Sequence, residues 1–258
     1  MIVGIIPARF ASTRLMGKPL ADIGGKPMIQ HTYESASKSK LLHKIIVAVD
    51  DKKVAEVVRG FGAEVIETSK DFASGSDRIT FAVKKMDDAE IIVNIQGDEP
   101  FIRAEMIDQA IEPLLFDKEV EVATLAKRIT TVKELNSHDV VKVVFDYTNN
   151  ALYFSRSPIP FVRDAHTDER KIEQAEIYKH IGLYVFRRKA LMEFTKLKPT
   201  DLEKIEKLEQ LRLLENGFKI KIVVTEMESI GVDTQEDLNR ARKFYKWKQR
   251  EEHENEDS

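Results

Sequence analysis

Short apolar segments alternate with longer amphipathic segments through the first half of this sequence. The pattern predicts strands at 2–6, 44–49, 63–66 and 90–95, and helices at 27–38, 52–60, 76–85 and 104–116. Apolar strands separated by helices predict an α/β fold with a mostly parallel central sheet and helices on both faces. Ligands of such sheets bind at the carboxyl ends of the strands, so the loops after Ile6 and Ile95 are the first places to search for a site.

The second half of the chain has a less regular pattern. Strands are predicted at 120–126, 140–146, 151–155, 182–187 and 220–225, and we expect mixed or antiparallel pairing among them. A helix is predicted at 201–216, because Thr200 to Glu203 form a capping box and Gly217 is a stop signal, and another begins at Gln235. Without a repeat or a long linker, we expect a single domain over 1–245 with an inserted lobe at about 120–190. The polar tail at 246–258 is expected to fray into solvent.

Composition excludes several classes of function. Lys and Arg number 41 and Asp and Glu 44, so the basic excess of a nucleic-acid-binding protein is absent and a small anionic ligand stays open. The chain has no cysteine, which excludes disulfides, thiolate metal sites and a cysteine nucleophile, so any metal binds oxygen or imidazole. No apolar run reaches the length of a membrane span and no signal-peptide pattern is present. We therefore expect a soluble, cytoplasmic protein.

A cationic loop follows the first predicted strand. In "PARFASTRLMGKPL" (7–20), Arg9, Arg14 and Lys18 leave the carboxyl end of a strand together, and Ala8 and Gly17 keep the loop small enough for close backbone approach. Two arginine forks and a lysine point charge suit the oxygens of a polyphosphate. The loop matches neither GxxxxGK[ST] nor GxGxxG, so a P-loop or a Rossmann dinucleotide site is not supported. The alternative is a solvated basic loop.

Two aspartates are candidates for holding a divalent metal. Asp98 in "NIQGDEP" (94–100) directly follows an apolar strand, and Asp233 in "SIGVDT" (229–234) directly precedes a predicted helix. Mg²⁺ prefers one or two carboxylates together with phosphate oxygens and water. The alternatives are a turn aspartate at 98 and a helix N-cap at 233.

Eight segments in order give the chain a family resemblance. They are "PARFASTRLMGKPL" with "GKPMIQH", "SGSDR" (74–78), "NIQGDEP", "VKVVFD" (141–146), "ALYFSRSPIP" (151–160), "KHIGLY" (179–184), "EKLEQLRLLENG" (206–217) and "GVDT" (231–234). Together they resemble the sugar nucleotidyltransferases that make CMP-activated acids, specifically the 3-deoxy-manno-octulosonate (Kdo) cytidylyltransferases. The resemblance implies a nucleotide-diphospho-sugar transferase-like fold, magnesium as cofactor, a homodimer and a role in lipopolysaccharide biosynthesis.

The resemblance also assigns a CTP site. It implies that Arg14 and Lys18 serve the triphosphate, that Asp98 and Asp233 hold a Mg²⁺ between the α-phosphate and the acceptor, and that a second Mg²⁺ sits mainly on triphosphate oxygens. Ala8 and Arg9 are implied to contact the base and the backbone beside the triphosphate. The cytidine contacts are implied for Ser74, Arg78 and Gln96. Without the resemblance, a serine–glycine turn that only caps the next helix is the simpler interpretation of "SGSDR".

The acceptor implied by the resemblance is a 2-keto sugar acid with one carboxylate and many hydroxyls. Arg156 is expected to bind the carboxylate, and the hydroxyls are assigned to His180, Tyr184, Glu209 and Gln210. From the residues alone, Glu209 and Gln210 are ordinary positions of the predicted 201–216 helix and His180 is a structural histidine. Val185 and Phe186 depart from the family pattern, which leaves an 8-amino form of Kdo open.

The expected reaction is attack of the C2 hydroxyl of Kdo on the α-phosphorus of CTP, with release of pyrophosphate and formation of CMP-Kdo. Metal and cations supply positioning and charge neutralisation, so no covalent protein nucleophile is required. Alternatives are a related enzyme acting on sialic acid or a sugar 1-phosphate, and a noncatalytic nucleotide-binding regulator. The retained aspartates and cations disfavour the regulator.

Overall fold

The computed structural model describes residues 1–11, 15–72 and 74–256, and it has the predicted α/β architecture with a mostly parallel central sheet flanked by helices. The strands are β1 (Ile2–Ala8), β2 (Asp22–Ile23), β3 (Lys26–Pro27), β4 (Lys44–Val49), β5 (Glu64–Glu67), β6 (Ile91–Asn94), β7 (Val122–Arg128), β8 (Lys142–Phe145), β9 (Ala151–Ser155), β10 (Tyr178–Arg187) and β11 (Ile220–Val224). The helices are α1 (Met28–Ala36), α2 (Lys52–Gly60), α3 (Gly75–Val83), α4 (Ala104–Phe116), α5 (Val132–Asn136), α6 (Asp168–Gln174), α7 (Arg188–Phe194), α8 (Asp201–Glu206), α9 (Gln210–Glu215) and α10 (Gln235–Glu256). A short 3₁₀ turn spans Lys18–Leu20.

Contacts divide the chain into two compact units. The first, here called the N-terminal unit, contains Ile2–Asp87, Asn94–Ala104 and Ser229–Ser258. The second, called the central unit, contains Met1, Asp88–Val93 and Glu105–Glu228. The expectation of one domain with an inserted lobe stays a prediction.

The N-terminal unit is built on parallel strands. β4 pairs in parallel with β1 on one side and with β5 on the other, from Val3 opposite Lys44 to Val49 opposite Glu67. β1 is buried along almost its whole length, which explains its continuous apolar sequence. Ile23, Met28, Val232, Leu238 and Ala241 form a buried cluster that joins the β2–β3 hairpin, α1 and α10. This cluster anchors α10 and the segment before it, which carries Asp233, to the segment that follows Lys18.

The central unit has the mixed pairing expected for the second half of the chain. β7 pairs antiparallel with β10 and in parallel with β11. β8 is antiparallel to both β10 and β9. β10 begins at Tyr178, four residues earlier than predicted, and its register against β7 shifts between Ile181 and Tyr184. This irregularity falls within the "KHIGLY" segment, which explains why simple alternation does not reveal the start of the strand.

Two of the sequence predictions about helices are wrong. The helix predicted at 201–216 is two helices, because Lys207 adopts a left-handed conformation (φ 54°) that ends α8, whereas the capping box at Thr200 and the positive φ of Gly217 are as predicted. The polar tail does not fray at residue 246, since α10 continues to Glu256. None of the helices in the described part of the chain is both long and apolar enough to cross a membrane.

Candidate active site

Three ionic side chains from distant parts of the sequence meet within the N-terminal unit. Nζ of Lys18 lies 2.6 Å from Oδ2 of Asp98 and 2.7 Å from Oδ1 of Asp233. The lysine side chain is 12% exposed, whereas the aspartates are 36% and 49% exposed, so the carboxylates remain accessible to a ligand. Burial disfavours the ammonium of Lys18, but the two carboxylates outweigh it and hold the pKa of Lys18 above its ordinary value.

The position of Asp98 depends on the close approach of two backbone segments. A Cβ atom at Gly97 would lie 2.8 Å from the carbonyl oxygen of Pro7, so glycine is the residue that fits between β1 and this loop. The carbonyl of Asp98 accepts a hydrogen bond from the backbone N–H of Val232 at 2.9 Å. That bond joins the loop after β6 to the segment that carries Asp233.

Asp233 is not the N-cap of the helix that follows it. Thr234 has that role: its hydroxyl accepts from the backbone N–H of Asp237 at 3.2 Å, and the Asp237 carboxylate accepts from the backbone N–H of Thr234 at 3.0 Å. This reciprocal arrangement satisfies the first turn of α10. The Asp233 carboxylate accepts from the ammonium of Lys18 at 2.7 Å.

Lys18 is held by a short turn at the end of the cationic loop. Gly17 has φ 66° and its N–H donates to the carbonyl of Phe10 at 3.2 Å, so the loop closes on itself just before Lys18. The N–H of Phe10 in turn donates to the Asp50 carboxylate at 3.0 Å. Arg14, assigned to the triphosphate by resemblance, lies outside the described residues.

The donor chemistry of the acidic pair fits magnesium. Asp98 and Asp233 supply hard carboxylate oxygens that already contact one cationic centre, the Lys18 ammonium. The described residues contain no group of three or more His, Cys, Asp or Glu side chains able to hold a metal. Two carboxylates completed by phosphate oxygens and water are a donor set that Mg²⁺ accepts. The metal role of the two aspartates stays a prediction.

The residues expected to bind cytidine have partners within the N-terminal unit. Arg78 is fully buried, and its guanidinium pairs with Asp50 at 3.1 Å and with the hydroxyl of Thr68. Ser74 caps α3 through a capping box with Asp77, which is the simpler of the two sequence interpretations. The role of Arg78 and Ser74 in binding the base stays a prediction.

The other predicted nucleotide residues lie at the ends of two strands. Ala8 is buried as the last residue of β1, and the exposed side chain of Arg9 donates from Nη2 to the carbonyl of Phe72 at 2.8 Å. Gln96 is partly exposed and lies two residues before Asp98 in the loop that follows β6. These positions flank the Lys18 cluster in sequence, and their nucleotide contacts stay predictions.

Glu99 is a residue of this site that was not predicted from the sequence. Burial, together with the charge of Asp98, raises the pKa of Glu99 to about 7, and the hydroxyl of Ser229 donates to its carboxylate at 3.0 Å. A second acid directly after Asp98 in "NIQGDEP" is the signal that identifies it. Burial is the larger of these two causes, and a pKa of about 7 leaves Glu99 partly protonated near pH 7.

In the central unit, the irregularity in β10 is accompanied by a network of hydrogen bonds around Thr124. The hydroxyl of Thr124 lies 3.1 Å and 2.8 Å from the carbonyls of Ile181 and Leu183, and 3.0 Å from Nε2 of His180. Because the single hydroxyl proton goes to a carbonyl, the network assigns the ring proton to Nε2 of His180 and leaves Nδ1 as an acceptor. Burial lowers the pKa of His180 to about 3, so the ring is neutral near pH 7.

Tyr184 carries a buried hydroxyl beside this histidine. The rings of His180 and Tyr184 are 5.3 Å apart, and no described residue accepts from or donates to the tyrosine hydroxyl. Burial and the charge of Glu209 raise the pKa of Tyr184 well above its ordinary value. A buried hydroxyl without a partner costs on the order of 1–3 kcal/mol. The roles of Tyr184 and His180 in binding sugar hydroxyls stay predictions.

Glu209 and Gln210 lie at the junction between α8 and α9, not within one continuous helix as predicted. Glu209 is the residue that precedes α9, and Gln210 is its buried first residue. Arg212 lies 3.7 Å from the Glu209 carboxylate. The break at Lys207 therefore gives the two polar residues surroundings that a regular amphipathic helix would not.

Arg156 is the remaining predicted sugar residue. Its guanidinium donates to three backbone carbonyls: those of His138 (2.8 Å), Glu206 (2.8 Å) and Lys207 (3.4 Å). These bonds use three of its five N–H groups, and no acceptor among the described residues reaches the other two. The contacts place Arg156 against the same α8–α9 junction that carries Glu209.

Comparison with known proteins identifies the family. The cytidylyltransferase family model matches residues 3–222. A curated 3-deoxy-manno-octulosonate cytidylyltransferase from Geobacter sulfurreducens is 54% identical over 243 residues, which cover 93% of this chain and 97% of the relative. The chain belongs to the 3-deoxy-manno-octulosonate cytidylyltransferase family. The protein of the same name from Geobacter metallireducens is 51% identical over 245 residues, covering 93% of this chain and 95% of the relative.

Solved structures agree with the family assignment. A structure described as CMP:2-keto-3-deoxy-manno-octonic acid synthetase complexed with CTP has a TM-score of 0.89 at 40% identity, covering 96% of this chain and 99% of that one. The 4-diphosphocytidyl-2C-methyl-D-erythritol synthase of Anaerococcus prevotii, at 18% identity and a TM-score of 0.60, shares the fold alone. This cytidylyltransferase is therefore a nucleotidyltransferase enzyme, and the fold class predicted from the sequence is confirmed.

The neutral state of His180 predicts how the stability of this cytidylyltransferase depends on pH. The folded protein resists protonation of His180 down to a pKa of about 3, whereas an unfolded histidine titrates near 6.5. The unfolded state therefore binds more protons below about pH 6.5, so this group lowers the free energy of unfolding as pH falls, by at most about 1.4 kcal/mol per unit.

Urea unfolding of His180→Gln tests this prediction. Glutamine keeps a donor toward Thr124 but does not titrate, so the variant is expected to lose less stability than the unmodified protein between pH 7 and pH 5. His166→Gln, at an exposed histidine, is the matched control and should reproduce the unmodified pH dependence. Equal slopes for all three proteins would contradict the prediction.

Proposed function

We propose that this enzyme transfers CMP from CTP to the C2 hydroxyl of Kdo, with release of pyrophosphate and formation of CMP-Kdo. The hydroxyl oxygen forms a bond to the α-phosphorus, the bond from that phosphorus to the bridging oxygen of the β-phosphate breaks, and pyrophosphate leaves with that oxygen. The hydroxyl proton passes to solvent. The observation that carries the proposal is the meeting of Asp98, Asp233 and Lys18 in a chain of this family.

The N-terminal unit supplies the groups that bind CTP in this proposal. Lys18, Arg9 and Arg14 neutralise and orient the triphosphate, and the buried Arg78 together with Gln96 and Ser74 serves the cytidine. Positioning of the triphosphate by fixed cations contributes to catalysis because charge spreads over the phosphorus oxygens in the transition state. The structure that holds CTP in a 40% identical relative supports CTP as the donor.

Asp98 and Asp233 would hold Mg²⁺. When bound there, the ion neutralises charge on the phosphate oxygens and lowers the pKa of a coordinated hydroxyl. The side chains of this chain need only keep the two carboxylates together, which the Lys18 ammonium and the Val232–Asp98 backbone bond achieve in the free protein. A second Mg²⁺ on the triphosphate belongs to the same proposal.

The central unit supplies the acceptor groups. Arg156 binds the Kdo carboxylate with its two remaining N–H groups, while Nδ1 of His180, the hydroxyl of Tyr184, Glu209 and Gln210 bind sugar hydroxyls. The buried Tyr184 hydroxyl supports this role, since a sugar hydroxyl completes its hydrogen bonding. A homodimer, a cytoplasmic location and a role in lipopolysaccharide biosynthesis complete the proposal.

The proposed function is tested by measuring the release of pyrophosphate from CTP in the presence of Mg²⁺. The purified protein is assayed with Kdo, 8-amino-Kdo and sialic acid in parallel, and we expect kcat/KM to be highest with Kdo. A higher value with 8-amino-Kdo or sialic acid would transfer the assignment to that acid. CTP binding without turnover on any of the three acids would favour the noncatalytic regulator.

A further inference from the structure

Glu206 binds the segment that carries Arg156 through both its side chain and its backbone. One oxygen of its carboxylate accepts from the hydroxyl of Ser155 at 2.6 Å, and the other accepts from the backbone N–H of Arg156 at 3.0 Å. Its backbone carbonyl accepts from Nε of Arg156 at 2.8 Å. A single residue thus fixes both the main chain and the guanidinium of Arg156.

The C-terminal end of α8 provides backbone carbonyls that bind this guanidinium. Lys207 turns the chain into the left-handed region immediately after Glu206, so the carbonyls of both residues leave the helical ladder and face a donor. Nε and Nη2 of Arg156 bind these two carbonyls. The arginine therefore caps the C-terminus of α8 while it keeps two N–H groups for a ligand.

A buried lysine holds the segment whose carbonyl binds Nη1 of Arg156. Lys142 is fully buried, and its Nζ donates to the carbonyls of Ser137 (2.9 Å) and Val140 (2.6 Å). Between those two residues lies His138, whose carbonyl accepts from Nη1 of Arg156. Burial lowers the pKa of Lys142, and the Glu206 carboxylate acts against this effect.

We propose that Glu206 is a positioning residue which orients Arg156 toward the carboxylate of the 2-keto sugar acid. Lys142 supports this orientation by holding the segment that carries the His138 carbonyl. The inference rests on the proposed function, in which Arg156 binds that carboxylate. An arginine side chain is long and flexible, and fixing it before the substrate arrives removes an entropic cost from binding. Glu206 acts through Arg156 and does not itself contact the substrate.

The effect of Glu206→Ala on the two Michaelis constants tests this inference. We expect KM for Kdo to rise about 10- to 100-fold, the range that follows from misplacing a charged hydrogen bond, while KM for CTP changes less than about twofold. If Glu206 only stabilised the fold, its replacement would lower the fraction of active enzyme, and with it the apparent kcat, without a selective change in KM for Kdo. Glu206→Gln, which keeps an oxygen acceptor, should restore part of the affinity.

Glu215→Ala is the matched control. Glu215 accepts from the backbone N–H of Leu202 at 3.4 Å, so it braces the same pair of helices without touching Arg156. We expect this variant to change the melting temperature but not KM for Kdo. If Glu215→Ala raises KM for Kdo as much as Glu206→Ala does, the inference is overturned.

A double-mutant cycle with Arg156→Ala separates this inference from the proposed function. If Glu206 acts through Arg156, the double variant has the same KM for Kdo as Arg156→Ala alone. An unchanged KM in Arg156→Ala defeats the proposed role of Arg156. A raised KM in Arg156→Ala with an unchanged KM in Glu206→Ala defeats only the positioning role. Where the alanine variant does not fold, Glu206→Met, which fills the same space without an oxygen acceptor, takes its place, and an unchanged KM for Kdo in that variant defeats the positioning role in the same way.

Discussion

Asp98→Asn is expected to lower kcat/KM for CMP-Kdo formation by about three orders of magnitude while leaving the fold intact. Asparagine has nearly the shape of aspartate, and the backbone bond from Val232 to the carbonyl of residue 98 does not depend on the side chain. The variant loses one of the two negative charges that would hold Mg²⁺. Lys18 retains Asp233 as a partner, so the local structure keeps one of its two ion pairs.

Steady-state kinetics with varied Mg²⁺ distinguish a metal role from a general loss of activity. If Asp98 binds the metal, the concentration of Mg²⁺ that gives half-maximal rate rises in Asp98→Asn, and Asp233→Asn behaves in the same way. Asp87→Asn is the control, since Asp87 is an exposed aspartate away from the pair. A nearly normal rate at ordinary Mg²⁺ would remove Asp98 from the metal site.

The fold was largely predictable because regular elements follow from local patterns. The observed bounds of β4, α2, α4 and β9 coincide with those predicted, since each is a periodic segment between clear breaks. The helix prediction was wrong where the backbone conformation of a single residue interrupts a segment with helical periodicity. Lys207 takes a left-handed conformation that lysine seldom adopts, and it divides a segment with continuous helical periodicity into α8 and α9.

The site was less predictable because its interactions join distant segments. The sequence suggests Asp233 equally as a helix cap and as a ligand, and only the structure shows that Thr234 caps α10. The same limit applies to Arg156: no local pattern indicates that its guanidinium reaches carbonyls at positions 138 and 206. Residue types at the ends of strands therefore indicate the kind of chemistry at the site. The hydrogen-bond and ion-pair partners of each side chain are known only from the three-dimensional structure.

Lys18→Met is expected to tighten metal binding and to lower turnover. In the free protein the Lys18 ammonium contacts both carboxylates that would hold the metal, so it competes electrostatically with any divalent ion. Removing one positive charge a few ångströms from the site is expected to tighten binding of Mn²⁺ to the free protein by about tenfold or more. Turnover is expected to fall by about two to three orders of magnitude, because the triphosphate loses a fixed cation.

Titration of the free protein with Mn²⁺, followed by the electron paramagnetic resonance signal of the unbound ion, measures the first effect without catalysis. Lys18→Arg is the matched control, since it keeps the positive charge and should bind Mn²⁺ as weakly as the unmodified protein. The difference between Lys18→Met and the unmodified protein should shrink when a nonhydrolysable CTP analogue is present, because the triphosphate then attracts the Lys18 ammonium away from the aspartates. Equal Mn²⁺ affinity of the free Lys18→Met and unmodified proteins would show that the ammonium does not oppose the metal, and that the contacts of Lys18 with Asp98 and Asp233 serve the fold alone.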